Sequence, residues 1–187
     1  ETKRNIPKSK CEIVTNGDVL NISRLKKLFT NGLDTLLISV YDGPEHVIKF
    51  QKMCDKAKLK KNQYVIRHRY YSAEKDFGIT ISNRAGMMEN SEHKIPALKT
   101  TLRSKCFYPS YTFFMDYNGD ILMCPHDWGK KIILGNLKNE NLLDIWFKEK
   151  SMKIRKNLTN GNRKFIPCNS CDVDGTLIGQ KNSEFFK

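Results

Sequence analysis

Short apolar runs alternate with amphipathic stretches through the first 83 residues. CEIVT (11–15) is a β-rich run ended by Asn16-Gly17, a turn dipeptide. Ile22, Leu25, Leu28 and Phe29 then recur at the i, i+3, i+6, i+7 spacing of one helical face, and Asn31-Gly32 supplies the stop. LDTLLISVY (33–41) is the mostly apolar run of a strand covered on both faces, stopped by Asp42-Gly43-Pro44. A second helix is predicted over 44–57, opened by Pro44 in its first turn. QYVIRHRYY (63–71) and FGITISN (77–83) read as a third and a fourth strand. Strands alternating with helices predict βα units and a parallel sheet. These units are too few to close an eight-stranded barrel, so the expected fold is α/β and part of a larger one.

The pattern changes from about residue 99, which divides the chain into expected domains 1–98 and 99–187. SYTFFMD (110–116) and ILMC (121–124) flank Tyr117-Asn118-Gly119-Asp120, a hairpin whose Asn-Gly pair accepts the positive φ of a tight turn. A helix is predicted over 141–158, with Leu142, Ile145, Trp146, Met152 and Ile154 as core positions and Gly161 past its end.

Composition narrows the class. At 39% hydrophobic and 10% aromatic residues, the 187-residue chain has enough apolar surface for a core. The net charge of +13 attracts anions, but the lysines at 26–27, 56–61, 130–131 and 148–156 are spread as solvated faces. Nucleic acid is therefore not an expected partner. No apolar run is long enough to span a membrane. Six cysteines without a signal-peptide pattern predict a reducing, cytoplasmic setting in which thiols bind metal.

Cys106, Cys124, Cys168 and Cys171 carry the chemistry. The first two bracket the hairpin and the last two form a C-x-x-C, so two sulfur pairs can supply the four thiolates of a zinc or an iron–sulfur site. Cys11 and Cys54 fall inside predicted elements and read as buried structural thiols.

Several separated motifs agree in order with one family. Cys106, Gly119, Cys124, Leu134-Gly135-Asn136, Asp144-Ile145-Trp146 and Cys168-Asn169-Ser170-Cys171 resemble the auxiliary-cluster domain, SPASM or twitch type, of radical S-adenosylmethionine (SAM) enzymes. The first half is similar to the later part of the family's (β/α) barrel at Thr15-Asn16-Gly17, Gly32-Leu33-Asp34, Ile38-Ser39-Val40, Asp42-Gly43 and Ile79 to Gly86. The resemblance implies a partial barrel followed by a small α+β cluster-binding domain.

The family's radical-generating cluster sits on a C-x-x-x-C-x-x-C loop, and this sequence contains none. The expectation is a truncated sequence, inactive alone, and the second account is a natural member that keeps only the auxiliary cluster. No cysteine follows Cys171, which fits one auxiliary 4Fe–4S cluster, with zinc on four cysteines as the alternative. The resemblance places Asn16, Ser39 and Arg67 where the family binds SAM, and Arg84 toward the substrate side of the strands. His126 and Asp127 follow Cys124 closely and are placed to take or relay a proton. The full-length protein is then expected to abstract hydrogen from a small molecule, sugar or peptide, with SAM, a second 4Fe–4S cluster and a redox partner. A different class, a non-catalytic four-cysteine module holding nucleic acid or a partner protein, stands beside it.

Overall fold

Parallel pairing organises the first part of the chain. The structure, a computed structural model, describes residues 1–70, 75, 77, 82–88, 98 and 100–186. The chain divides into two units, Glu1–Thr80 and Ile81–Lys187. The expected boundary at 98/99 falls beside residues 89–97 and 99, which lie outside the described ones.

In the first unit a helical turn, α1 (Thr2–Asn5), precedes β1 (Glu12–Thr15), α2 (Ile22–Thr30), β2 (Thr35–Val40), α3 (Pro44–Lys56) and β3 (Tyr64–His68). The sheet order is β1-β2-β3, all parallel, with Thr15 opposite Ile38 and Ser39 opposite Arg67. These elements match the predicted strands and helices in type. The side chain of Asn21 caps α2 by accepting from the Arg24 amide at 2.9 Å, and Pro44 opens α3.

Leu36, Ile38 and Val40 recur at the strand period of two and bury against Leu25, Phe50 and Cys54 from the helices. Each such Leu or Ile stabilises the unit by about 1.5–3 kcal/mol. The other face of β2 is less covered than the apolar run suggested, since Thr35 and Leu37 are half-buried. Cys54 is fully buried as expected, while Cys11 is only half-buried. Among the described residues the three strands close no barrel. The fourth predicted strand lies largely outside the described residues.

In the second unit a helical turn, α4 (Tyr108–Tyr111), leads into an antiparallel sheet of β4 (Phe114–Met115), β5 (Asp120–Leu122) and β6 (Ile133–Asn136). The predicted hairpin is present, with Phe114 opposite Leu122, and Gly119 adopts φ +87° in its turn. Ser110 and Tyr111 belong to α4 instead of the strand, and β6 adds a partner that periodicity did not indicate.

The single helix expected over 141–158 is two, α5 (Leu142–Phe147) and α6 (Glu149–Thr159). Lys148 between them is extended at φ −53°, ψ 142°. The break is stabilised from α6, where Ser151 Oγ donates to the Ile145 carbonyl at 2.7 Å and Arg155 donates to that of Trp146. Ile145 and Ile154 are buried, whereas Leu142 is exposed. They share a core with Ile121, Met123, Leu134, Leu158, Cys124 and Cys168, so two candidate ligands belong to the core itself. Among the described residues no helix is long and apolar enough to cross a membrane.

Gly17 gives a direct test of the first unit's packing. It holds φ +86°, and a Cβ there would lie 2.4 Å from Cζ of Phe50. Gly17→Ala should therefore destabilise the chain by about 1–3 kcal/mol, read as a lower urea midpoint by far-ultraviolet circular dichroism. An unchanged midpoint would show that Phe50 does not close over the β1 turn.

Candidate metal centre

Three separated segments bring the four cysteines together. Cys106 precedes α4 and is fixed by its own amide, which donates to the Leu158 carbonyl at 2.9 Å. Cys124 follows β5, and Cys168 and Cys171 frame a short 3-10 turn, Cys168–Ser170, closed by the Cys171 amide on the Cys168 carbonyl. All four are free thiols. They line one cavity together with His126, Arg163 and the apolar side chains of Met123 and Leu158.

Burial pushes all four thiols above the ordinary range, Cys124 to about 12, and the neighbouring sulfurs add to the rise at each of them except Cys106. Backbone amides act in the opposite sense: those of His126 and Asp127 donate toward Cys124, that of Tyr108 toward Cys106 and that of Val173 toward Cys171. Such N–H groups favour thiolate, the state in which sulfur ligates metal. Among the described residues, no three His, Cys, Asp or Glu side chains are grouped to hold one metal ion. The four cysteines nonetheless line one shared cavity, and a lining with four thiol donors fits a cluster.

The loop at residues 82–88 lies against the C-x-x-C turn. The Asn83 amide donates to both oxygens of Asp172 at 3.0 and 2.9 Å, and Asn83 Nδ2 donates to the Ser170 carbonyl at 2.7 Å. Gly86 approaches so closely that a Cβ would lie 2.7 Å from Cβ of Ser170. Arg84 and Ala85 adopt φ +50° and +54° in this loop, a conformation side-chain-bearing residues seldom take.

Arg84 and His126 therefore reach the surroundings of the cysteines. The Arg84 guanidinium stacks on Trp128 at 4.5 Å, and its Nε is buried without a hydrogen-bond partner. His126 Nδ1 is 3.1 Å from Ser82 Oγ. Burial, then the charge of Arg84, lowers the His126 pKa from the usual value, which favours the neutral ring. Asp127 is fully buried and accepts from the Lys131 and Ile132 amides at 2.9 and 2.8 Å, which fixes the loop after Cys124.

In the first unit, Arg67 Nη2 donates to Ser39 Oγ at 3.0 Å, and Arg67 Nε is buried without a partner. Asn16 directly follows β1, and its side-chain Nδ2 donates to Asp18 at 2.6 Å. Sequence reasoning missed Asn83, Asp172 and Arg163. The position of Asp172 directly after the C-x-x-C was the one signal at hand.

Residues 106–172 match the SPASM iron–sulfur cluster-binding domain. The chain is also 30% identical, over 172 residues, to the S-adenosyl-L-methionine-dependent 2-deoxy-scyllo-inosamine dehydrogenase of Niallia circulans, covering 91% of this chain and 64% of that protein. The chain is thus similar to a SAM-dependent dehydrogenase over most of its length and carries a SPASM match in its second unit. Its structure is similar to that of BtrN in complex with AdoMet and 2-DOIA, with a TM-score of 0.75 and 27% identity, covering 100% of this chain and 68% of that one. BtrN in an open conformation shares the fold, with a TM-score of 0.59 and 22% identity over 95% of this chain and 66% of that one. The chain thus spans about two thirds of these relatives' length. All four cysteines fall within the residues matched to the SPASM domain.

Asp127 provides a test of how the centre is framed. Asp127→Ala leaves two part-buried amides without their acceptor and should destabilise the second unit by about 1 kcal/mol. Both tryptophans, Trp128 and Trp146, report on that unit, so urea unfolding followed by their fluorescence measures it. An unchanged transition would show that the carboxylate does not hold the loop.

Proposed function

We propose that this chain is part of a radical SAM enzyme whose SPASM domain holds one auxiliary 4Fe–4S cluster on Cys106, Cys124, Cys168 and Cys171. The observation that carries the reading is the convergence of four thiols, from three segments of the SPASM match, on one buried cavity. The SPASM match over the same four cysteines favours an iron–sulfur cluster over zinc. When bound, such a cluster supplies one-electron exchange to the reaction.

The first unit supports a SAM-binding role for Asn16, Ser39 and Arg67. Ser39 and Arg67 are paired near the C-terminal ends of parallel strands, where α/β folds gather ligands, and the unpaired Arg67 Nε suits a carboxylate. The radical-generating 4Fe–4S cluster belongs to the full-length enzyme. The substrate proposed is a small hydroxylated molecule, because the Niallia circulans relative is named for a dehydrogenase of 2-deoxy-scyllo-inosamine. Oxidation of the substrate radical left by hydrogen abstraction to a carbonyl releases one electron, to the auxiliary cluster, and one proton, which needs an acceptor. His126, favoured in its neutral form, fills that role, and Arg84 beside it faces the anionic character that develops. Asp127, with both oxygens engaged, takes a supporting part. A cytoplasmic setting and a redox partner complete the proposal.

Anaerobic reconstitution should give about four irons and four sulfides per chain, with broad visible absorption. Cys124→Ala and Cys171→Ala should lose them. Stoichiometric zinc without sulfide would overturn the cluster assignment. The 187-residue chain, which contains no C-x-x-x-C-x-x-C, should release no 5′-deoxyadenosine from SAM with a strong reductant, and release would contradict the division of roles.

A further inference from the structure

Among the residues lining the cysteine cavity, Arg163 alone carries a permanent charge. It is 2% exposed, and its partners are four backbone carbonyls. Nε donates to Ser104 at 2.8 Å, Nη1 to Val173 at 2.7 Å, and Nη2 to Lys105 at 2.9 Å and to Asp174. The first pair of segments, 104–105, runs directly into Cys106. The second, 173–174, begins two residues after Cys171. One planar fork therefore ties two ligand-bearing segments together, which a lysine ammonium, with three donors on a point charge, does not reproduce.

Among the described residues Arg163 forms no ion pair, and carbonyl dipoles satisfy its N–H groups without cancelling a full positive charge. A buried cation is retained at great expense unless an anion faces it. The cavity it lines supplies one when the four cysteines ligate as thiolates, since a 4Fe–4S core with four thiolates is net negative and becomes more so on reduction.

Resting on the cluster reading above, we infer that Arg163 is the cluster's fixed counter-charge and positioning residue, setting the spacing of the Cys106 and Cys171 segments and raising the reduction potential. In the reduction concerned, the oxidised cluster takes one electron from an external donor, dithionite in the test. No bond to Arg163 changes. The more negative product gains more from the guanidinium than the oxidised form does, so removal of the charge disfavours reduction.

The test uses the whole chain, reconstituted anaerobically, as wild type, Arg163→Lys and Arg163→Gln. Iron and sulfide bound by the wild type come first, and their absence would sink the cluster reading before any variant is compared. Iron loss to a chelator then reads positioning, and a dithionite titration followed by electron paramagnetic resonance reads the potential. Arg163→Gln should lower the equilibrium constant for one-electron reduction about tenfold, a shift of about 59 mV. Arg163→Lys should keep the wild-type potential yet lose iron several-fold faster. A wild-type potential in Arg163→Gln overturns the counter-charge role, and wild-type iron retention in Arg163→Lys overturns the positioning role. Should Arg163→Gln hold no iron long enough to titrate, Arg163→Lys decides alone: an unchanged potential with faster iron loss supports the inference, and a tenfold weaker reduction overturns it.

Discussion

Four thiols buried around one cavity keep their protons until a cation replaces them. Each of the four cysteines is pushed upward by burial, and Cys124 reaches about 12. On the proposed ligation, iron would exchange for those protons, and the free energy of ligation would become free energy of folding for the segments that bear the sulfurs. Those segments are short and irregular: a helical turn after Cys106, a loop after Cys124 and a 3-10 turn between Cys168 and Cys171. Their geometry is set by groups around the ligands. Asp127 secures the loop after Cys124, Asn83 and Asp172 lock the C-x-x-C turn, and Arg163 joins the chain before Cys106 to the chain after Cys171.

The same sulfurs also pack. Cys124 and Cys168 pack with Ile121, Leu134, Ile145, Ile154 and Leu158, so two of the candidate ligands belong to the hydrophobic core of the second unit. The first unit rests on a different principle, a parallel sheet whose middle strand buries Leu36, Ile38 and Val40 under two helices. Near its strand ends, parallel registry sets Ser39 beside Arg67, the pair proposed to meet SAM.

Much of this was legible in the residues because the two periods differ. Strands of two-residue period and helices of 3.6 separate cleanly from Glu12 to His68, with Asn-Gly and Gly-Pro marking the turns. The four cysteines were legible for a chemical reason, since C-x-x-C and a bracketed hairpin are arrangements that thiolate ligation needs. What escaped was tertiary. The break at Lys148 depends on Ser151 and Arg155 reaching back to carbonyls of the preceding helix, which no propensity encodes. Arg163 escaped for the same reason: its partners are the carbonyls of Ser104, Lys105, Val173 and Asp174, about 10 or 60 positions away, and a carbonyl has no side-chain signature. In a chain with 33 lysines and arginines, one buried arginine looks like the rest until its neighbours are known.

The convergence of the four sulfurs on one iron-containing group is the claim on which the other assignments depend. Its most direct measurement is a crystal structure of the anaerobically reconstituted chain with anomalous data at the iron edge. The account predicts about four iron positions within the cavity, each bonded to one of Cys106, Cys124, Cys168 and Cys171, with Arg163 on its four carbonyls. A single metal position, or a cluster bound with any of the four sulfurs turned away, would contradict it.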